Sequence, residues 1–512
     1  MCIKSIFRDL TVCLSFANLI MLKVWLQLLP YGFDNYYRME HHQYFVNRYL
    51  SAMFCTILIS MGLLCVSLIA RRWQKSADFF WPFIYGATFC FALNGIRIQC
   101  GFVVKTLLIA PIKVGTLLTG IGLIFLVTGM LFWLVGKRHM VARQYFRVPL
   151  LFAPFILITF GQSILSLQQM KQSSACSLPR QNIQYSEGTL AMPVVWIIFD
   201  ELDYGIAFER RSKGLLLPQF DKLQQSSLCV TQAFSPYYST SVSISSLLTG
   251  KILKKIKPVS ASELKLTGAD GTISSLQTKS TIFYDIHKRG GKTALFGWAL
   301  PYSHMFSTLN IVKDYCNPQS EPIANTMFFQ LLSLVSETLI DYANFLFDNS
   351  IEVSNHVSVT SSMHEDVIRY LETNQRGFTF LHYPVPHAPN IYNHHTFRYG
   401  AEPDIKERVL GNVALVDLLL GEIRLSMEKA GTWDKALVVV SADHGLRSNK
   451  YDGIIDKQHV PFLVKMPDQK SGVVVPDRFE TVNTRQMVLN IVDGKIRTPE
   501  DLKSWMHGLI AH

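Results

Sequence analysis

Residues 194–203 read VVWIIFDELD, an apolar run that ends in a group of acidic residues. A continuous apolar run of this length, rich in β-branched residues and without polar alternation, is typical of a strand buried on both faces of a parallel sheet. Ligands of such sheets bind beyond the carboxyl ends of the strands. Asp200, Glu201 and Asp203 therefore stand where a parallel α/β fold places its functional side chains.

Further short apolar runs follow along the chain, with amphipathic helical segments such as residues 412–428 between them. This alternation predicts an α/β fold with a mostly parallel sheet. The run at 436–440 is followed directly by Asp443 and His444, so a second strand end carries an acidic and an imidazole group. The other runs are 293–296, 378–381 and 462–464.

The chain before residue 170 differs from the rest in composition. Only 17% of all residues are charged, against about 25% in ordinary soluble domains. Apolar stretches here approach the roughly 20 residues that a helix needs to cross a bilayer. We predict an N-terminal bundle of about five transmembrane helices in a domain at 1–170, a polar linker at 171–192 and a catalytic domain at 193–512. The stretches are 10–29, 50–70, 79–96, 114–135 and 148–167.

Basic residues in short loops predict the orientation of these spans. Three basic clusters fall on one side of the membrane if there are five spans, which places the N-terminus in the cytoplasm and exports the chain after residue 170. This topology fits the inner membrane, with the catalytic domain in the periplasm. The net charge of +11 does not indicate a nucleic-acid partner, because the second half has no basic run interleaved with aromatic residues. The clusters are Lys4 and Arg8; Arg71, Arg72 and Lys75; and Lys137, Arg138, Arg143 and Arg147.

A third segment, residues 235–250, is rich in hydroxyl groups and reads SPYYSTSVSISSLLTG. Hydroxyls that begin a helix lie where free N–H groups and the helix dipole favour a bound phosphate. A hydroxyl on a metal ion is also activated as a nucleophile. Taken singly, each segment has a structural explanation as well: Asp203 as a helix cap, Asp443 in a hydrogen-bonded turn, and the hydroxyl run as an N-cap and loop.

Together, these segments resemble the sulfatase branch of the alkaline phosphatase superfamily over residues 193–465. The resemblance implies acidic metal ligands at Asp200 and Glu201. It also implies a nucleophile ten residues before Gly250, which is Thr240. Further matching segments are 290–297, 386–389, 443–445 and 460–463.

The nucleophile position departs from the pattern of sulfatases that form formylglycine. Those enzymes carry Cys or Ser, with Pro two residues later and Arg four residues later, whereas this chain has Thr240, Val242 and Ile244. Trp298 also stands where sulfatases carry a lysine. A threonine nucleophile is similar to that of membrane-bound phosphoethanolamine and phosphoglycerol transferases, which also have about five spans and an exported catalytic domain.

The resemblance to these transferases implies roles for individual residues. His387 and His459 would be catalytic residues near the substrate. The expected divalent ion is Zn²⁺ or Mn²⁺, with Ca²⁺ or Mg²⁺ as alternatives. Whether a second ion binds stays open, and His382 is a candidate ligand for it. The metal ligands that the transferases imply are Asp200, Thr240, Asp443 and His444. Glu201, the acidic ligand implied by the sulfatase branch, has no clear counterpart in these transferases, so a second metal or a purely structural role stays open for it.

The predicted function is that of a membrane-anchored, metal-dependent enzyme that cleaves or transfers a phospho-ester group on an anionic lipid or a lipid-linked glycan. Two alternatives stay open: a sulfuric ester hydrolase, and a catalytically inactive protein that senses lipids. The sequence also leaves open whether the enzyme hydrolyses its substrate or transfers the group, and which acceptor it would use. The oligomeric state and a disulfide between Cys229 and Cys316 stay open as well.

Overall fold

The chain folds into two units whose residue ranges interleave along the sequence. The first unit comprises Met1–Asn35, His41–Gln172 and Gln319–Asn349, and the second comprises Tyr36–Glu40, Ser173–Pro318 and Ser350–His512. The structure, a computed structural model, describes residues 3–28, 42–70, 84–88, 91–92, 147–172, 190–260, 263–306, 309–315, 322–335, 350–373, 376–400, 405–447 and 456–509.

The described part of the first unit is helical. Val46–Ile69 is long and apolar enough to cross a membrane, and α1 with α2, bent by 65°, would be a second span if the pair crossed together. The apolar part of α5, Ala153–Leu165, is shorter than a span. The helices are α1 (Ile3–Ile20), α2 (Leu22–Leu28), α3 (His42–Ala70), α4 (Arg147–Leu150) and α5 (Ala153–Gln172).

These helices cover three of the five predicted transmembrane stretches, namely the first, second and fifth. The fourth, 114–135, and most of the third, 79–96, lie outside the described residues. One or two candidate spans are therefore present in the described part of the chain, and the five-helix bundle is not confirmed.

One helix of the first unit, Ile323–Val335, comes from the middle of the sequence of the second unit; we call it the returning helix. The Lys23 ammonium donates a hydrogen bond to the Ser333 carbonyl at 2.7 Å, and the Ser51 hydroxyl donates to the Ile323 carbonyl at 3.1 Å. Its apolar side chains join a buried cluster with α2 and α3. The sequence interpretation kept 193–512 as one domain, whereas this helix packs with the helices of the first unit.

The second unit is an α/β domain built on an eight-stranded sheet with the order β13-β2-β12-β11-β1-β8-β6-β7. Only β12 runs antiparallel to its neighbours, so the predicted α/β fold with a mostly parallel sheet is confirmed. The strands of this sheet are β1 (Val194–Asp200), β2 (Leu228–Phe234), β6 (Thr293–Trp298), β7 (Ile311–Tyr315), β8 (Phe378–Pro386), β11 (Leu437–Ala442), β12 (Phe462–Lys465) and β13 (Val473–Glu480).

Smaller strands and the helices complete the second unit. The strands β3 (Leu253–Ser260), β4 (Glu263–Gly268) and β5 (Ile273–Ser275) form an antiparallel sheet, and β9 (Tyr392–Asn393) pairs with β10 (Arg398–Tyr399) as a hairpin. The helices are α6 (Pro218–Gln224), α7 (Thr240–Thr249), α8 (Ile282–Lys288), α9 (Tyr302–Met305), α10 (Ser350–Thr373), α11 (Ile405–Lys429), α12 (Thr484–Val492) and α13 (Pro499–Gly508).

The strand that opens the α/β domain, β1, lies at the centre of the sheet between β11 and β8. Every residue of β1 is buried, and Trp196 packs edge-on against Phe380 of β8 with ring centroids 5.3 Å apart. Because β1, β8 and β11 are parallel neighbours, their carboxyl ends meet at one edge of the sheet. That edge presents Asp200, His387 and Asp443.

Cys229 lies on β2 and has a free thiol, hydrogen-bonded at 3.5 Å to the Ser227 hydroxyl. Its disulfide partner in the sequence interpretation, Cys316, lies outside the described residues.

Candidate active site

Three buried side chains converge at the carboxyl edge of the sheet. Asp200 ends β1, Asp443 follows the neighbouring β11, and His382 lies on β8 opposite Ile198. One ligand atom from each of the three lies within 4.8 Å of the others. Asp200 is 1% exposed, and Asp443 and His382 are fully buried, so the cluster is shielded from water.

Several buried polar atoms of this cluster lack hydrogen-bond partners among the described residues. They are both carboxylate oxygens of Asp200, Oδ2 of Asp443 and Nε2 of His382. Burial of a carboxylate without a partner is costly, and buried polar atoms in proteins are nearly always paired. Burial, and next the charge of Asp443, raises the pKa of Asp200 well above its usual range. A divalent cation bound by these oxygen and nitrogen atoms would give the unpartnered atoms a ligand and would favour the ionised form of Asp200. The donor set therefore fits a metal ion.

Thr240 reaches the cluster from the first residue of α7. Its hydroxyl Oγ1 lies 3.2 Å from Nε2 of His444. The Ser243 hydroxyl, one turn further along α7, donates to the Asp443 carbonyl and ties the helix to the end of β11. The helix ends at Gly250, whose φ of 66° is the left-handed conformation that favours glycine in a C-cap. The hydroxyl run is thus largely a helix that presents its first threonine to the imidazole of His444.

The imidazole of His444 is held in the form that binds metals. Its Nδ1 lies 2.9 Å from the Gly445 carbonyl, so Nδ1–H donates there and the lone pair is on Nε2. Nε2 lies 3.2 Å from Asp443 Oδ2 and 3.9 Å from Asp200 Oδ1. Atoms bound to one ion at about 2 Å are roughly 3 to 4 Å apart. Nε2 of His444 therefore lies at a spacing from both carboxylates that suits one shared ion, and the Thr240 hydroxyl lies beside this nitrogen.

His382 is a fifth candidate ligand and lies nearest Oδ2 of Asp200, whereas His444 lies nearest Oδ1. Its Nε2 lies 3.9 Å from Asp200 Oδ2, and its Nδ1 is 2.8 Å from the Tyr302 hydroxyl. Burial lowers the pKa of His382 to about 4, so the ring is neutral at physiological pH. A neutral ring whose Nδ1 is engaged by Tyr302 directs Nε2 toward the cluster.

Glu201 was predicted as a metal ligand, but its carboxylate is engaged elsewhere. Its backbone φ of 68° is left-handed, and its Oε1 accepts a hydrogen bond from Nε of Arg447 at 2.5 Å. The Asp203 carboxylate accepts a hydrogen bond at 3.0 Å from the N–H of Ile206, which lies in the short helix Gly205–Glu209. Sequence reasoning missed Arg447, although it stands only three residues after His444.

The two predicted catalytic histidines lie in different surroundings. The backbone N–H of His387 donates to the Asp200 carbonyl at 3.0 Å, and its ring packs against Trp298. The ring of His459 is stacked between aromatic side chains, and its Nε2 lies 2.9 Å from the Thr231 carbonyl. No hydrogen bond or ion pair joins His459 to the metal-binding cluster within the described ranges.

The loop that carries His387 is held by one side chain of α11. The Asn412 amide nitrogen donates to the carbonyls of Pro386, His387 and Pro389 at 3.2, 3.3 and 3.3 Å. Its oxygen accepts from the Ile391 N–H at 2.8 Å. Because Asn412 is buried, these bonds fix the backbone on both sides of His387.

The lowered pKa of His356, on α10, makes the stability of the protein depend on pH. Burial, and next the neighbouring His387, lowers the pKa of His356 from 6.5 to about 3. Between these values the unfolded chain binds a proton that the folded protein does not, so stability falls as pH decreases from 6.5 toward 3. One such proton costs about 1.4 kcal/mol per pH unit.

We expect His356→Gln to lose stability less steeply in acid than the wild type, measured as thermal unfolding across pH 6.5 to 3. His507→Gln serves as the control because the side chain of His507 is 74% exposed. A His356→Gln profile parallel to the wild-type profile would contradict the assignment.

Known proteins resemble the second unit. A family model described as Sulfatase matches residues 193–493. The phosphonate monoester hydrolase of Agrobacterium radiobacter is 15% identical, over 59% of this chain and 74% of that chain, with a TM-score of 0.40. The phosphonate monoester hydrolase of Silicibacter pomeroyi is 17% identical, over 59% and 73%, with a TM-score of 0.41.

A third solved structure is described as a protein in the alkaline phosphatase superfamily from Vibrio parahaemolyticus. It is 15% identical, over 62% of this chain and 70% of that chain, with a TM-score of 0.39. No curated protein matches the sequence.

Proposed function

The chain belongs to the sulfatase family, and from this premise we propose that it is a membrane-anchored, metal-dependent enzyme that cleaves or transfers a phospho-ester group with Thr240 as its nucleophile. The observation that carries the proposal is the position of the Thr240 hydroxyl, 3.2 Å from Nε2 of His444 and beside buried carboxylates that lack partners. A hydroxyl at the start of a helix also faces free backbone N–H groups, which suit an anionic substrate.

In this proposal one divalent ion is held by Asp200, Thr240, Asp443 and His444, with His382 as a further candidate. When bound, the ion supplies positive charge for the phosphoryl oxygens and favours the deprotonated hydroxyl. Glu201 is not a proposed ligand, because it pairs with Arg447. The Arg447 guanidinium, anchored in this way, adds positive charge near the reacting phosphoryl group.

The reaction proceeds in two halves. Thr240 Oγ1 attacks phosphorus, its proton passes to solvent, and a new oxygen–phosphorus bond forms as the bond to the leaving alcohol breaks. His387 protonates the leaving oxygen. In the second half, water or an acceptor alcohol attacks the phospho-threonine and gives its proton to His387. The bond between phosphorus and Thr240 Oγ1 breaks, and a proton from solvent restores the Thr240 hydroxyl. We assign the proton transfer to His387 rather than His459, because Nε2 of His459 is already bonded to the Thr231 carbonyl.

The substrate class follows from the nucleophile and from the first unit. Thr240, Val242 and Ile244 do not form the motif that generates formylglycine, which favours a phosphate ester over a sulfate ester. The apolar span Val46–Ile69 supports a substrate at a membrane, an anionic lipid or a lipid-linked glycan. The inner membrane, with the second unit in the periplasm, is the location that the basic loops favour.

Trapping the covalent intermediate tests this function. Full-length protein in detergent, loaded with Mn²⁺ or Zn²⁺, is mixed with a phosphodiester lipid, quenched in acid and digested for mass spectrometry. We expect a phospho-ester on Thr240. A sulfated peptide from a sulfate ester would support the sulfatase alternative instead. Unmodified Thr240 in folded, metal-loaded protein with every ester would contradict a covalent mechanism.

A further inference from the structure

A second cluster of metal-binding side chains lies between the β9–β10 hairpin and the first turn of α11. Nε2 of His394 is 3.2 Å from Oε2 of Glu407, and Nε2 of His395 is 3.3 Å from the same oxygen. All three ligand atoms lie within 4.8 Å of one another. None of these residues belongs to the cluster around Asp200.

The spacing of these three atoms suits a tetrahedral ion. Two ligands bound to Zn²⁺ at about 2.0 to 2.1 Å in tetrahedral directions are about 3.3 Å apart. Both nitrogen–oxygen distances, 3.2 Å to His394 and 3.3 Å to His395, match that edge. Two imidazoles and one carboxylate are a common protein ligand set for zinc, with a fourth position for water.

The backbone holds both histidines on one side before any ion binds. Consecutive residues of a strand point in opposite directions, but here Asn393 makes a turn: its Oδ1 accepts from the N–H groups of His395 and Thr396, both at 2.9 Å. The two imidazole rings lie with their centroids 4.0 Å apart. The ligand nitrogens are therefore preorganised, which lowers the cost of binding.

The helix that carries Glu407 is packed closely against the hairpin. A side chain at Gly411 would meet the Tyr392 carbonyl at 1.9 Å, so only glycine permits this approach. Asn412 of the same helix holds the loop that carries His387. An ion shared by Glu407 and the histidines would thus join the hairpin to α11 beside that loop.

We propose that His394, His395 and Glu407 form a second, solvent-accessible metal site that binds Zn²⁺ or a similar borderline divalent ion. His395 is 59% exposed and the Glu407 side chain 35% exposed, so the ion enters directly from solvent. The ion stabilises the segment that follows His387. The site is independent of the reaction at Thr240.

Residue-resolved labelling tests the site. Full-length protein is stripped with a chelator, titrated with Zn²⁺, treated with diethyl pyrocarbonate and digested for mass spectrometry. We expect Zn²⁺ to suppress labelling of His395 in the wild type and in Asp200→Asn, because the second variant alters only the buried cluster. Glu407→Gln is expected to lose this protection.

The matched control is the pair of His507 and Asp477, which lie 3.2 Å apart on the surface of the same unit with one histidine and one carboxylate. Two ligands bind zinc weakly, so the labelling of His507 is expected to stay unchanged at the Zn²⁺ concentration that protects His395. Equal protection of His507 and His395 would show nonspecific binding and overturn the proposal.

Elemental analysis provides a second readout that does not depend on labelling. His395→Asn, an exposed substitution that should not disturb folding, is expected to lose one bound zinc per chain relative to the wild type. The proposal is overturned if Glu407→Gln retains full protection of His395, or if His395→Asn binds as much zinc as the wild type.

Discussion

Thr240→Ala is expected to reduce turnover of a phosphodiester substrate by at least about 10⁴-fold, because removal of an activated nucleophile costs at least this much in enzymes with a covalent intermediate. The hydroxyl lies 3.2 Å from Nε2 of His444, and no other hydroxyl is hydrogen-bonded to that nitrogen in the described part of the chain. Steady-state kinetics at saturating metal measure the effect.

Two neighbouring variants make this result specific. Thr240→Ser keeps a hydroxyl at the same position and should recover measurable turnover. Ser241→Ala removes a hydroxyl from the next residue of α7 and should retain nearly wild-type activity. If Ser241→Ala lost as much activity as Thr240→Ala, the nucleophile would be assigned to the wrong residue.

Asp200→Asn is expected to weaken metal binding by at least about 100-fold and to abolish turnover. Loss of a residue that only supports a ligand costs about 10- to 100-fold in metal affinity, so loss of a ligand should cost more. In the metal-free protein the same substitution should raise the melting temperature at neutral pH. Burial and the charge of Asp443 disfavour the ionised Asp200, and asparagine removes that charge.

Metal titration followed by thermal unfolding, with and without a chelator, measures both effects of Asp200→Asn. Asp468→Asn is the control, because Asp468 is exposed and its left-handed φ of 56° is well tolerated by asparagine. A metal-free Asp200→Asn protein that melted below the wild type would contradict the view that the cluster is assembled for a cation.

The sequence predicted the sheet best where strands are buried on both faces. Each of the five continuous apolar runs, such as 194–199, became a strand of the large sheet. By contrast, β2, β7 and β13 were not predicted. β2 and β13 begin with only three apolar residues, 228–230 and 473–475, and continue with polar ones, while β7 has Lys313 and Asp314 in its middle. The direction of β12 could not be predicted, since its apolar run is the same for either orientation.

Part of the site could be predicted because the carboxyl ends of parallel strands meet at one edge of the sheet. That rule, with the family resemblance, was enough to group Asp200, Thr240, Asp443 and His444. It could not show that Glu201 turns toward Arg447, because this depends on a left-handed backbone that the residue type does not reveal. The hairpin histidines were missed for a similar reason: their convergence depends on the turn made by Asn393.

The interleaving of the two units has a consequence for how the protein is made. Helices α1 to α3 meet the returning helix only after the ribosome has added residues up to Val335, so β1 to β7 emerge while the first unit is still incomplete. A truncated protein that starts at Leu190 would carry that apolar helix without its partners. Removing the first unit cleanly therefore requires excision of an internal segment as well as the N-terminus.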